Sequence, residues 1–138
     1  MKIIWHGHSS FTISFSDIKI IIDPFLSGNP NFGNQNMDEI TSELTHIALT
    51  HGHNDHVGGA SYLEETYGAR ILISGPDWDL ALSGERPDRP RPTRDMVVTD
   101  GQKLTLGDTT VTLALTPGHT AGTLAMFVPV KHLGRTHT

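Results

Sequence analysis

The 138-residue chain contains no cysteine. This absence excludes a disulfide framework, a thiolate zinc site, an iron–sulfur cluster and a cysteine nucleophile. The sequence also has no apolar run near the roughly 20 residues that a membrane helix needs, and its first residues lack the pattern of a signal peptide. Positive charge is scarce, because 10 Lys and Arg stand against 15 Asp and Glu. We therefore expect a cytoplasmic protein that acts on a small molecule and binds neither nucleic acid nor a membrane.

The pattern of apolar runs predicts one mixed α/β domain over residues 1–138. Short strand-like runs are separated by turn residues, and the 14 glycines and 8 prolines fit a fold with many turns. We expect strands at 2–5, 11–15, 18–22, 46–50, 70–74, 96–99, 103–106, 109–115 and 123–130. We expect helices at 37–44, at 57–67 and from Pro76 to a stop at Gly84, a surface loop over 85–95 and a polar tail after 130.

Nine histidines are the unusual feature of the composition, and three of them fall within the segment T-H-G-H-N-D-H. In this segment His51, His53, Asp55 and His56 follow the predicted strand 46–50. Where the chain bends as it leaves a strand, His51 and His53 can converge on one cation. Asp55 and His56 can then turn toward a neighbouring site. Nitrogen and oxygen ligands without sulfur suit zinc, and also iron, manganese or cobalt. The alternative is a hydrophilic loop with exposed histidines.

Other candidate residues also follow predicted strands. His119 stands in the turn T-P-G-H-T after the strand 109–115; it is either the third ligand of a two-histidine site or an exposed loop residue. Asp23 ends the run I-I-I-D-P, and it either forms a turn or accepts the ring N–H of a ligand histidine. His6 and His8, in W-H-G-H-S-S, are candidates for the pocket wall or for contacts behind the ligands, with plain surface positions as the alternative.

Four motifs together resemble the metallo-β-lactamase superfamily over nearly the whole chain: T-H-G-H-N-D-H, the upstream I-I-D-P, D-G-Q-K-L-T-L-G-D and T-P-G-H-T-A-G-T. The resemblance implies an αββα sandwich with metals at one edge of the two sheets. Of this sandwich we expect the N-terminal half and one or two strands of the second half. The resemblance further implies a hydrolase with one or two zinc ions per chain, iron and manganese being less favoured. A metal-activated water would attack an ester, amide, lactone or β-lactam, or phosphodiester bond.

Carried over residue by residue, the resemblance assigns the first metal site to His51, His53 and His119. It assigns Asp55 and His56 to a second site. Asp55 would also be the catalytic residue that orients the nucleophile. Two alternatives to the hydrolase are a metal-binding scaffold with little catalysis, and a redox relative with two irons and a flavin. The redox relative ranks last, because the chain shows no flavin-binding segment.

The two parts of the chain resemble different branches of the superfamily. Residues 1–58 resemble cytoplasmic metal-dependent hydrolases, and residues from 59 onward resemble the third subclass of metallo-β-lactamases, so we expect a chimeric or truncated chain. The second half of the family's domain supplies a bridging Asp and a final His; His132 and His137 are the remaining candidates for that His. We also expect a homodimer that covers exposed apolar faces, with residues 123–130 exchanged between chains.

Overall fold

Eleven strands and four helices alternate along residues 1–83 and 90–138, the part of the protein that a computed structural model describes. The strands are β1 (Lys2–Gly7), β2 (Ser10–Phe15), β3 (Ile18–Ile22), β4 (His46–Ala48), β5 (Arg70–Ser74), β6 (Met96–Val98), β7 (Lys103–Leu106), β8 (Thr109–Leu115), β9 (Leu124–Phe127), β10 (Val130–His132) and β11 (Arg135–His137). The helices are α1 (Met37–Thr41), α2 (Asn54–Val57), α3 (Ala60–Tyr67) and α4 (Gly75–Leu82). Gly84, predicted to end α4, and the first part of the predicted surface loop, 85–89, lie outside the described residues.

A six-stranded sheet in the order β1-β2-β3-β4-β5-β6 forms the centre of the protein. The first three strands pair antiparallel, with a tight turn at Ser16 (φ 31°) between β2 and β3. From β3 to β6 the strands pair parallel, because helices cross back between them. The carboxyl ends of β3, β4 and β5 therefore meet at one edge of the sheet. Asp23, the segment 50–56 and the start of α4 all lie at this edge.

The two faces of this sheet pack on different layers. One face packs against the helices, around the fully buried Leu63 of α3 and Trp78 of α4. The other face packs against an antiparallel sheet of order β7-β8-β9, around Leu72, Leu106 and Leu113. In the part of the chain that the structure describes, the layers are helices, sheet and sheet, which agrees with the predicted α/β sandwich. The longest described helices have eight residues, and none is long and apolar enough to cross a membrane.

The second sheet returns the chain to the edge where β4 ends. Leu124, the first residue of β9, donates its backbone N–H to the carbonyl of Thr50 at 2.8 Å. The loop that precedes β9 is closed by a second backbone bond, from the N–H of Thr116 to the carbonyl of Thr123, also 2.8 Å. This loop carries His119, which is thereby held beside the segment 50–56.

Several elements differ from the sequence prediction, and the helix predicted at 37–44 already ends at Thr41. The helix predicted at 57–67 begins at Ala60 as α3, and Val57 instead ends the separate helix α2; between them Gly59 lies against the backbone of Pro24, where a Cβ would stand 2.4 Å from the carbonyl oxygen. The predicted strand 123–130 ends at Phe127, and the predicted polar tail forms the hairpin β10–β11. Leu133 and Gly134 have positive φ values of 48° and 76°, the conformation that a tight two-residue hairpin turn requires.

Candidate metal centre

The segment 50–56 leaves β4 and turns into α2 at the carboxyl edge of the central sheet. Gly52 lies against α4 in this turn, and a Cβ on it would stand 2.6 Å from the carbonyl oxygen of Asp77. Only glycine permits so close an approach of two backbones. The approach brings His51 and His53, on either side of Gly52, to a ring-centroid separation of 4.8 Å.

The first cluster consists of His51, His53 and His119, whose candidate ligand nitrogens lie within 4.8 Å of one another. Nδ1 of His53 lies 3.1 Å from Nε2 of His119. The ring of His51 stands nearly perpendicular to the other two, at 86° and 84°. His51 is 5% exposed, and its Nε2 has no hydrogen-bond partner among the described residues. A buried nitrogen with an unused lone pair beside two further imidazoles fits a bound cation.

The electrostatics of His51 favour the form that binds a metal. Burial lowers the pKa of His51 below its ordinary value of 6.5, and the neighbouring His56 lowers it further, while Asp23 opposes the shift. The ring is therefore neutral at pH 7, as a metal ligand must be. Oγ1 of Thr50 lies 3.0 Å from Nδ1 of His51, so the hydroxyl occupies the far nitrogen and leaves Nε2 for the cluster.

The loop that holds His119 is anchored to α4. Oγ1 of Thr120 donates to Oδ2 of Asp77 at 2.6 Å, and Asp77 is a buried residue in the first turn of α4. Gly122 packs on the same helix terminus, where a Cβ would stand 2.0 Å from Oγ of Ser74. These contacts set the position of His119 relative to the turn at 50–56.

The second cluster consists of His8, Asp55 and His56, whose candidate ligand atoms also lie within 4.8 Å of one another. Nε2 of His8 and Nε2 of His56 each lie 3.6 Å from Oδ2 of Asp55. The rings of His51 and His56 have centroids 3.9 Å apart, so the two clusters adjoin. The sequence assigned Asp55 and His56 to a second site, whereas it assigned His8 only to the pocket wall or to contacts behind the ligands.

Asp23 holds both the turn at Thr50 and the ring of His56. It follows β3, is 1% exposed and has a left-handed backbone with φ 45°. Its Oδ1 accepts the backbone N–H of Thr50 at 2.8 Å, and its Oδ2 lies 2.7 Å from Oγ1 of Thr50 and 2.8 Å from Nδ1 of His56. A carboxylate on Nδ1 fixes the tautomer of His56 whose Nε2 lone pair faces Asp55.

Four histidines lie outside the two clusters: His46 on β4, and His6, His132 and His137, which the sequence proposed as candidates. His6 is fully buried, and its ring nitrogens are taken up by Oγ1 of Thr12 at 2.5 Å and Oε1 of Gln35 at 2.7 Å. These contacts place His6 in the interior rather than behind the candidate ligands. His132 and His137 lie exposed on the hairpin β10–β11, with ring centroids 6.5 Å apart, and belong to neither cluster of the described residues. Metal ligation stays a prediction for every residue of both clusters.

Comparison with protein families and with curated proteins gives close matches. The family described as "Metallo-beta-lactamase superfamily" matches residues 4–133. A UPF0173 metal-dependent hydrolase of Rhizobium etli is 50% identical over 89 residues, which are 64% of this chain and 38% of that protein. A UPF0173 metal-dependent hydrolase of Methylocella silvestris is 49% identical over 74 residues, which are 54% of this chain and 32% of that protein. Relatives of this group match the N-terminal part of the chain.

Solved structures match nearly the whole chain. The native FEZ-1 metallo-β-lactamase from Legionella gormanii superposes with a TM-score of 0.79 at 24% identity, covering 95% of this chain and 56% of that one. A metallo-β-lactamase with a HARLDQ motif from Cronobacter sakazakii superposes with a TM-score of 0.72 at 27% identity, covering 90% of this chain and 55% of that one. The predicted sandwich fold is confirmed, and the chain spans about half the length of these structures.

Proposed function

Because the chain belongs to the metallo-β-lactamase superfamily, we propose that it acts as a metal-dependent hydrolase. One observation carries the proposal: His51 has a buried Nε2 without a hydrogen-bond partner among the described residues, and its ring lies in a cluster with His53 and His119 whose candidate ligand nitrogens are within 4.8 Å of one another. The matched residues cover 38% of the Rhizobium etli relative, so the activity of that longer protein is assigned to this chain only as part of the proposal.

The metal that we assign is zinc, with one or two ions per chain. Three imidazole nitrogens without sulfur suit zinc, and three protein ligands leave a coordination position for water, as catalytic zinc sites require. When bound, zinc supplies a Lewis acid that polarises a substrate oxygen and lowers the pKa of water to about 7. Iron and manganese accept similar nitrogen and oxygen ligands and are the alternatives.

Asp55 is the catalytic residue that we assign to hold the attacking water and accept its proton. It lies in the first turn of α2, two residues after His53 of the first cluster, and its side chain is 51% exposed, so water reaches the carboxylate. His56, on the same helix, has its Nδ1 held by Asp23 at 2.8 Å. The exposure of Asp55 and the fixed ring of His56 support the assignment of Asp55 as the base.

A cleft of about 830 Å³ opens beside the first cluster and supports a small molecule as the substrate. Its lining includes His53, Asn54, Phe25, Leu26, Tyr62 and Arg91. Clefts of this size that combine apolar walls with a few polar groups bind small molecules. We propose that the bond cleaved is an ester, amide, lactone or β-lactam bond, or a phosphodiester.

Hydrolysis of chromogenic esters, lactones, β-lactams and phosphodiesters by the zinc-loaded protein tests this proposal. We expect zinc-dependent turnover of at least one class, and its loss in His119→Ala, which lacks one nitrogen of the first cluster. His132→Ala is the matched control, because His132 is an exposed histidine outside both clusters. If zinc binds and no class is hydrolysed, the chain is instead the metal-binding scaffold, and unchanged turnover in His119→Ala would contradict the assigned site.

We propose in addition that the chain combines two branches of the superfamily. The relatives that match its N-terminal part at 50% identity are metal-dependent hydrolases, whereas the structures that match 90–95% of it at 24–27% identity are metallo-β-lactamases. A comparison of residues 59–138 alone tests the idea: these residues should be more similar to metallo-β-lactamases than to the UPF0173 group. The reverse order of similarity would contradict a joined chain.

A further inference from the structure

His8 has a defined position in the turn between β1 and β2. Its backbone is left-handed (φ 52°), and the preceding Gly7 (φ 99°) lies so close to Asn31 that a Cβ would stand 2.6 Å from that side chain. The carbonyl of His8 accepts a hydrogen bond from the indole Nε1 of Trp5 at 3.0 Å. The imidazole packs edge-on against Phe25, with ring centroids 5.4 Å apart. The turn is therefore held from several sides, although the side chain of His8 is 37% exposed.

The distances around Asp55 fit a cation better than they fit hydrogen bonds. Its Oδ2 lies 3.6 Å from Nε2 of His8 and 3.6 Å from Nε2 of His56. Hydrogen bonds between nitrogen and oxygen are shorter, about 2.7–3.2 Å. Ligand bonds of about 2.0–2.2 Å in a tetrahedral zinc site place neighbouring ligand atoms about 3.3–3.6 Å apart. Two nitrogens at the same distance from one carboxylate oxygen are thus spaced as ligands of a shared cation.

The Nδ1 atoms of His8 and His56, which point away from Asp55, already have hydrogen-bond partners. Nδ1 of His8 lies 2.9 Å from Oγ of Ser9, and the same hydroxyl lies 3.1 Å from Nδ1 of His56. Nδ1 of His56 is also held by Oδ2 of Asp23 at 2.8 Å. A ring that keeps its proton on a hydrogen-bonded Nδ1 presents a lone pair at Nε2. Both lone pairs then face the carboxylate of Asp55.

We propose that His8 is the third protein ligand of a second zinc ion, which it holds together with Asp55 and His56. This inference rests on the proposed function, because the second ion would adjoin the first cluster through the rings of His51 and His56, whose centroids are 3.9 Å apart. The competing interpretation is an exposed ion pair between His8 and Asp55, which would contribute no metal ligand.

Counting zinc ions on His8 variants tests the proposal. His8→Gly suits the left-handed backbone of the turn, and His8→Asn repeats the test with a polar side chain that also tolerates this conformation. His132→Ala is the matched control. Native mass spectrometry of the zinc-loaded, desalted protein counts ions per chain, and competition with a chromophoric chelator measures the two zinc affinities separately. Circular dichroism of the metal-free variants checks that each one folds.

We expect two zinc ions per chain in the wild type and in His132→Ala, and one in both His8 variants. Removing a group behind a ligand costs about 10–100-fold in metal affinity, so loss of the ligand itself should weaken the second zinc by more than about 100-fold. The affinity of the first zinc should not change. A wild type with a single zinc, or His8 variants that keep two with unchanged affinity, would overturn the role of His8 and leave the proposed function standing. A wild type that binds no zinc would refute the proposed function as well.

Discussion

Asp23→Asn should weaken zinc binding at the second cluster and leave the first cluster intact. The carboxylate of Asp23 is 1% exposed and accepts from three donors, the N–H and the hydroxyl of Thr50 and Nδ1 of His56, at 2.7–2.8 Å. An asparagine keeps the shape and can still accept the N–H of Thr50 through its amide oxygen. Its amide nitrogen then faces the hydroxyl of Thr50, which can rotate to accept, and Nδ1 of His56, which can accept only if it loses its proton.

The expected loss of zinc affinity follows from one unfavourable contact, between the amide nitrogen of the asparagine and Nδ1 of His56. In the variant, His56 has two choices. If it keeps the proton on Nδ1, that N–H faces the amide N–H of the new asparagine, and two donors meet without an acceptor. If the proton moves to Nε2, His56 loses the lone pair that faces Asp55. Loss of a partner behind a ligand histidine costs about 10–100-fold in metal affinity, which corresponds to about 1.4–2.7 kcal/mol. In the metal-free protein, one hydrogen bond to a buried charge is lost, so the free energy of unfolding should fall by about 1.5–3 kcal/mol.

Chelator competition with zinc measures both affinities, and urea denaturation of the metal-free protein measures the stability. Asp77→Asn is the matched control, because Asp77 is another carboxylate with 1% exposure and its contact with the hydroxyl of Thr120 can be kept by the amide oxygen. The control should leave the second zinc unchanged. Equal affinity of the second zinc in wild type and Asp23→Asn would refute the role of Asp23 in fixing His56.

Three further predictions concern stability and assembly. Trp78→Ala should lower the free energy of unfolding by about 3–5 kcal/mol in urea denaturation, because the ring is fully buried and its Nε1 donates to the carbonyl of Met96 at 3.0 Å; a loss below about 1 kcal/mol would contradict this packing. Asp95→Asn should be less stable than the wild type at pH 7. Arg70 donates to Asp95 at 2.6 Å and holds the pKa of that carboxyl below its ordinary value of 3.8, so the stabilisation is present above about pH 4 and is lost as the pH falls through the lowered pKa. Urea denaturation from pH 7 to pH 3 should show the difference shrinking, and a difference that grows toward acid would contradict the assignment. Finally, we propose a homodimer, supported by Phe127, which lies on the edge strand β9 and is 49% exposed. Sedimentation should give twice the chain mass of 15.1 kDa for the wild type and the mass of a single chain for Phe127→Asp. A wild-type monomer would contradict the homodimer.

The sequence predicted the elements whose signals are local. The runs 18–22 and 70–74 carry apolar residues between turn residues, and they form β3 and β5 with the predicted bounds. The segment 50–56 carries its spacing within itself, so His51, His53, Asp55 and His56 could be proposed together. His119 could be proposed as a third ligand because it follows a predicted strand, and the family resemblance supports this, but its contact with the other two depends on a loop from the second sheet.

The contacts that the sequence missed depend on distant parts of the chain. His8 meets Asp55 only because β1, β2, β3 and β4 are neighbours in the central sheet, and the spacing in W-H-G-H-S-S does not distinguish it from His6. His6 points instead to Thr12 and Gln35. The hairpin β10–β11 was also missed, because its polar residues give no alternation of buried and exposed positions and all of β11 is exposed.

X-ray absorption spectroscopy of the protein with one equivalent of zinc tests the three-histidine site, since it reports the ligands of the zinc ion that binds more tightly. We expect three imidazole nitrogens at about 2.0–2.1 Å, falling to two in His119→Ala and staying at three in His132→Ala. Fewer than three imidazoles in the wild type, or an unchanged spectrum in His119→Ala, would contradict a zinc site built by His51, His53 and His119.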